Sequence, residues 1–230
     1  MRKALLIISL ITGILSSSLL AQTIEIEWGG STDLPKNTRF NKIIGQDSNK
    51  FYMIRSEKDK DLKNSPIWLE SFDKTSSGIE SSYQIEMPKI YTKKSRFEDI
   101  YYINNKLVLF CSVVEPIKQR NNLYAFGIDE DGITNTEPLL IGSISSGLDD
   151  DLGFKFMLSP DKKKVIVTYH ITFSTYNGEP FHYKVIDSDL KLVETKEFEM
   201  PFLKKKFEIL DFHRGESGNY YFEVRVEPMK

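Results

Sequence analysis

Three phenylalanines, Phe40, Phe97 and Phe154, stand 57 residues apart, and each opens the same succession of apolar runs and polar turns. Such a repeat constrains the fold strongly, because a unit that cannot bury its own faces must stack against neighbours. A further copy begins at Phe207 and stops halfway. The units read as 40–96, 97–153, 154–206 and an incomplete 207–230, preceded by a strand segment at 22–39.

Each unit starts with a short run: Ile43-Ile44, Ile100-Tyr101-Tyr102, Phe156-Met157-Leu158 or Ile209 to Phe212. A turn rich in Asn, Asp, Ser, Pro or Gly follows, of the kind that closes a tight hairpin. The next run is the strongest of each unit: Phe51 to Ile54, Leu107 to Val113, Val165 to His170, and Tyr220 to Val226. In Leu107-Val108-Leu109-Phe110 both alternating faces are apolar, which predicts a strand covered on both sides. The third runs are followed by Asp73, Asp129 and Asp187, each of which introduces a turn in which its carboxylate can accept backbone N–H bonds. The fourth run is more charged, as in Leu192 to Phe198, and predicts an exposed outer strand.

Four antiparallel strands per unit, apolar inside and polar outward, describe a propeller blade. The expected fold is therefore all-β and β-propeller-like, with three four-stranded antiparallel blades plus a partial fourth. One stretch, Phe156-Met157-Leu158-Ser159-Pro160-Asp161-Lys162-Lys163-Lys164-Val165-Ile166-Val167, resembles the Ser-Pro-Asp-Gly turn of the TolB-type, WD40-like propeller repeats of exported bacterial proteins. Lys162 stands where that motif has glycine. The resemblance implies the architecture and transfers no activity, since such repeats serve scaffolds and peptidases alike. The fourth unit supplies two strands, which predicts either a longer propeller with further C-terminal blades or an arc completed by a partner or an oligomer. The alternating segment Thr23-Ile24-Glu25-Ile26-Glu27-Trp28 is a candidate strand for closing a ring.

Residues 1–21 carry Arg2 and Lys3, an apolar stretch from Ala4 to Ile14, a serine run and Ala21, the pattern of a secretory signal peptide. Leu19 is bulky for a cleavage site, and an uncleaved anchor is the alternative. Cleavage would leave no membrane span and place the protein in the periplasm or outside the cell. Removing Arg2 and Lys3 from 31 basic residues leaves 29 against 33 acidic ones, a net charge of −4. That balance does not point to nucleic acid, which favours a concentrated basic face. The one cysteine, Cys111, lies inside an apolar run and reads as a small buried hydrophobe, so stability must come from a core and not from a disulfide.

Candidate chemistry is sparse. Asp149, Asp150 and Asp151 form the sharpest acidic cluster and a weak calcium candidate, against a solvated turn as the plainer account. Asp129-Glu130-Asp131-Gly132 shares that ambiguity and reads as a blade turn. His170, His182 and His213 never fall at metal-ligand spacings, though His170 and His182 are expected to face one another across paired strands. No Gly-x-Ser-x-Gly elbow is present, and nothing marks a carboxylate pair for glycosidic chemistry. Lys204-Lys205-Lys206 reads as a solvated loop. No cofactor, catalytic residue or metal site is assigned. The expectation is an exported binding or scaffold protein that recognises a protein or glycan at the loops of one end. The alternative is a fragment of a propeller-based hydrolase or lyase whose remaining blades or catalytic domain lie downstream.

Overall fold

The computed structural model describes residues 34–145, 153–159, 161–170, 179–200, 207–215 and 219–226, all within one unit, Thr32–Lys230. The first blade runs β1 (Thr38–Gln46), β2 (Lys50–Glu57), β3 (Ile67–Asp73) and β4 (Ile79–Gln84). A short ribbon, β5 (Lys89–Ile90) and β6 (Lys93–Lys94), leads to the second blade, β7 (Arg96–Ile103), β8 (Lys106–Glu115), β9 (Arg120–Ile128) and β10 (Leu139–Ser145). The third contains β11 (Lys155–Leu158), β12 (Lys164–His170), β13 (Glu179–Asp187) and β14 (Leu192–Met200), and the fourth β15 (Phe207–Arg214) and β16 (Tyr220–Val226). Each four-stranded sheet is an antiparallel meander in chain order, and β15 pairs with β16 alone among the described residues. The chain is thus all-β and propeller-like, with three four-stranded units and part of a fourth. Among the described residues no helix is long and apolar enough to cross a membrane.

Why sheets stack face to face is visible along β8, where every residue from Leu107 to Val113 is buried. Side chains alternate across a strand, so Leu107, Leu109, Cys111 and Val113 enter one core with Ile44, Tyr52, Ile54 and Leu69 of the first blade. Val108 and Phe110 enter another with Val165, Val167 and Tyr169 of the third. A third core joins Ile166, Phe181, Tyr183 and Val185 to Phe222 and Val224 of the fourth. Three cores between four sheets are what successive blades require. The outer strands β4 and β14 are exposed as expected, with Leu192 and Val193 of β14 facing solvent, whereas β10 of the second blade buries Ile141 and Ile144 against the third.

The repeat extends to backbone detail. A register shift follows Phe40 in β1 and Phe97 in β7, and another falls between Ile209 and Asp211 in β15. Gly45 of β1 lies so near β7 that an added Cβ would come 2.5 Å from the Tyr102 carbonyl oxygen. The turn aspartates act as expected. Asp73 Oδ1 accepts from the amides of Thr75 (3.0 Å) and Ser76 (2.7 Å), Asp129 Oδ1 from Ile133 (2.9 Å), and Asp187 Oδ1 from Asp189 and Lys191 (both 2.9 Å). Asn104 and Asn105, at φ 47° and 60°, make the tight hairpin between β7 and β8. Lys162 holds φ 55°, a left-handed conformation that favours glycine.

One expectation fails. His182 stands opposite Tyr169, and His170 stands opposite Phe181. A one-residue offset moves a position to the other face of a sheet, so the two histidines do not face one another. His182 instead stacks on Tyr169, with ring centroids 5.0 Å apart. Thr23 to Trp28 and Asp149, Asp150 and Asp151 lie outside the described residues, as do Pro160 and Lys204 to Lys206.

Candidate binding cleft at the turn end

In an antiparallel meander the first and third hairpin turns of every blade fall at the same end. The β7–β8 turn of the second blade there meets the β13–β14 turn of the third. Asn104 Nδ2 donates to Ser188 Oγ at 3.2 Å, and Lys106 Nζ pairs with Asp189 Oδ1 at 2.5 Å. Between these turns opens a cleft of about 450 Å3, lined by residues that include Tyr102, Asn105, Asn135, Thr136, Ser188 and Leu190.

Asn135 and Thr136 are held there by a fold-back of the segment after β9. Gly127 N donates to Thr136 Oγ1 at 2.8 Å, and Asn135 N donates to the Gly127 carbonyl at 3.0 Å. A Cβ on Gly127 would fall 2.7 Å from Asn135 Oδ1 and 2.9 Å from Thr136 Cγ2, so a larger residue there would displace these two side chains of the cleft.

Behind Tyr102 is a polar seam between the first and second blades. Its ring stacks on Tyr52, centroids 4.3 Å apart at 21°. Tyr52 Oη lies 3.1 Å from Asp47 Oδ2 and 3.2 Å from Glu130 Oε1, and Tyr102 Oη donates to Asp47 Oδ2 at 3.4 Å. Burial pushes the Tyr52 phenol up, and the Asp47 carboxylate adds to the effect. For Asp47 burial works upward, but the amides of Lys50 and Asn49 and the two phenols outweigh it and hold the carboxyl below its ordinary value. Tyr52 and Tyr102 are therefore neutral donors and Asp47 an acceptor, and of this seam Tyr102 and Glu130 line the cleft.

The cleft is also lined by Asp129, Glu130 and Asp189, each with a partner. Asp129 binds the Ile133 amide, Glu130 Oε2 lies 3.7 Å from Lys50, and Lys106 holds the Asp189 carboxyl below its ordinary value. Elsewhere, Cys111 is fully buried, and burial pushes its thiol up to about 12, as a core position would. Burial lowers the His182 imidazole against the pull of Glu197. Among the described residues no three His, Cys, Asp or Glu side chains could hold a metal. Sequence analysis placed Asn104-Asn105, Asp129 and Asp187 in turns but missed that turns of two blades converge. The available signal was their shared position in the meander, which sets them all at one end.

No family model matches the sequence, and no curated protein matches it. Among solved structures the chain is similar to an endo-arabinase from Bacteroides thetaiotaomicron, at TM-score 0.42 and 10% identity over 83% of this chain and 74% of that one. A likeness that distant carries no argument about this chain.

Proposed function

We propose that the protein is an exported binding module that captures a glycan in the cleft between its second and third blades and does not turn it over. The observation that carries this reading is the chemistry of the cleft. Its volume of about 450 Å3 falls within the ordinary range for small-ligand sites. The amides of Asn105 and Asn135 and the hydroxyls of Thr136 and Ser188 offer the paired donors and acceptors that a run of sugar hydroxyls needs. Tyr102 and Leu190 add apolar surface.

Glycoside hydrolysis needs one carboxyl kept protonated and a second kept ionised across the bond. Asp129, Glu130 and Asp189 each have a turn amide or a lysine beside them, and the Glu130 and Asp189 side chains are 56% and 51% exposed, without the apolar burial that keeps a carboxyl protonated. Export rests on the N-terminal charge-apolar-serine pattern of residues 1–21.

The test is a glycan array probed with the full chain, followed by calorimetry on Asn105→Ala and Asn135→Ala. Each variant should weaken binding roughly fivefold for one lost hydrogen bond. A blank array beside a protein retained from envelope extract would overturn the glycan reading in favour of a protein partner. Release of reducing ends from a bound glycan would establish the hydrolase alternative.

A further inference from the structure

The other end of the second blade carries a different surface. β8 is 10 residues long, so this end lies about 30 Å from the cleft at the usual rise per strand residue. Two loops stand there side by side. One is the hairpin of β5 and β6, whose turn is Tyr91-Thr92. The other is the 3-10 turn Pro116–Lys118 between β8 and β9. Glu115 bridges them, with Lys93 Nζ at 3.9 Å and Lys118 Nζ at 3.2 Å.

Ile117 is 99% exposed and Tyr91 82%, more than any other large apolar side chain among the described residues. Single exposed apolar residues are ordinary, but these two occupy the tips of adjacent loops. The two loops and the strand ends that carry them, residues 89–96 and 115–120, hold six exposed cations, Lys89, Lys93, Lys94, Arg96, Lys118 and Arg120, and within those segments the one carboxylate is that of Glu115. The chain as a whole has a net charge of −2, so the concentration is local.

The tip of the first loop is also held in a costly conformation, and a left-handed residue follows the second. Tyr91 and Thr92 have φ of 49° and 75°, and Gln119 has φ of 50°. A two-residue turn with both φ values positive favours Asn-Gly, and a β-branched threonine there is a true outlier. Strain of this kind persists only where the surrounding structure holds it, and it clusters at functional sites.

We infer that this end of the second blade docks on an anionic lipid bilayer. Ile117 and Tyr91 enter the headgroup layer while the ring of lysines and arginines meets the phosphates. Exposed apolar side chains in the two turns beside exposed cations in the same segments are the combination of an interfacial anchor. A soluble polyanion would use the flanks and leave Ile117 without a role.

The experiment is co-sedimentation of the full chain with vesicles of phosphatidylcholine alone or mixed with phosphatidylglycerol, at low and high salt. Three proteins are compared: the wild type, the pair Tyr91→Ser with Ile117→Ser, and the pair Lys93→Glu with Lys118→Glu. The N-terminal apolar stretch is common to all three, so only differences between them are read. The altered side chains are exposed, and an unchanged urea midpoint confirms each fold.

The wild type should prefer the phosphatidylglycerol vesicles and lose that preference at high salt. Loss of the two lysines alone should weaken binding roughly 30-fold, at about fivefold per charge near the surface, with the two introduced carboxylates adding to it, and removing the tips should weaken binding to the phosphatidylglycerol vesicles. Equal binding of the tip variant and the wild type would overturn the inference, as would equal binding of the wild type to both vesicle types. Dextran sulfate competing as well as vesicles, with no dependence on the tips, would also overturn it.

Discussion

Leu109 and Phe110 are adjacent on β8, both fully buried, and their side chains enter different cores. Replacing each with alanine separately tests whether both faces of a blade are covered. Leu109→Ala removes three carbons, about 2.4 kcal/mol at about 0.8 kcal/mol per methylene, and a residual cavity brings the expected loss to about 3–5 kcal/mol. Phe110 packs on Phe156, with centroids 5.0 Å apart, and edge-on to Tyr101 at 6.3 Å. Its truncation should cost about 3–5 kcal/mol. The assay is urea unfolding followed by tryptophan fluorescence, with the slope m compared so that a change in midpoint reports stability. A sandwich or barrel with one wet face would make one of the two substitutions nearly silent. A loss under about 1 kcal/mol from either variant, far below the range for buried sites, would refute the stacked-sheet reasoning.

Arg55 and Glu70 form a buried ion pair at 2.6 Å, Arg55 also lies over the Trp68 ring, and Glu70 Oε2 has no hydrogen-bond partner among the described residues. Arg55→Met should therefore cost about 3–5 kcal/mol by stranding a buried carboxylate, and Arg55→Met with Glu70→Met should recover most of it, as read from urea midpoints. The Asp73 carboxyl is held below its ordinary 3.8, first by the Ser76 amide and then by the Ser76 hydroxyl. A lowered folded value means stability that is present above the unfolded value and lost as pH falls through the folded one. The wild-type midpoint should thus drop more than that of Asp73→Asn between about pH 5 and about pH 3. Cys111, with its thiol raised to about 12, should resist iodoacetamide in the folded protein and react once in guanidinium, measured by mass spectrometry; native labelling would place it outside the core.

Much of the fold was legible because its signals are local. Alternation along Leu107 to Val113 reports that both faces are covered, and no distant residue is needed to see it. The aspartates after β3, β9 and β13 announce turns because their carboxylates bind amides two to four residues on. The histidine pairing was misjudged for the opposite reason. Register between β12 and β13 depends on loop geometry and core packing, and a one-residue offset, invisible in either strand, moved His170 away from His182. The cleft was illegible as well, since Asn104 and Ser188 are 84 residues apart in sequence and meet only when two blades stack.

By itself the chain's order of residues determined the period, the main strands and their turns, and the exposure of the charged outer strand β14, since these follow from side-chain alternation and the dihedral demands of short turns. Only the tertiary structure decided which turns share an end, which carboxylates are tied to lysines, and which apolar tips protrude beside which cations. Those outcomes depend on the angle and spacing at which sheets pack, a property of whole faces that no single stretch of sequence contains.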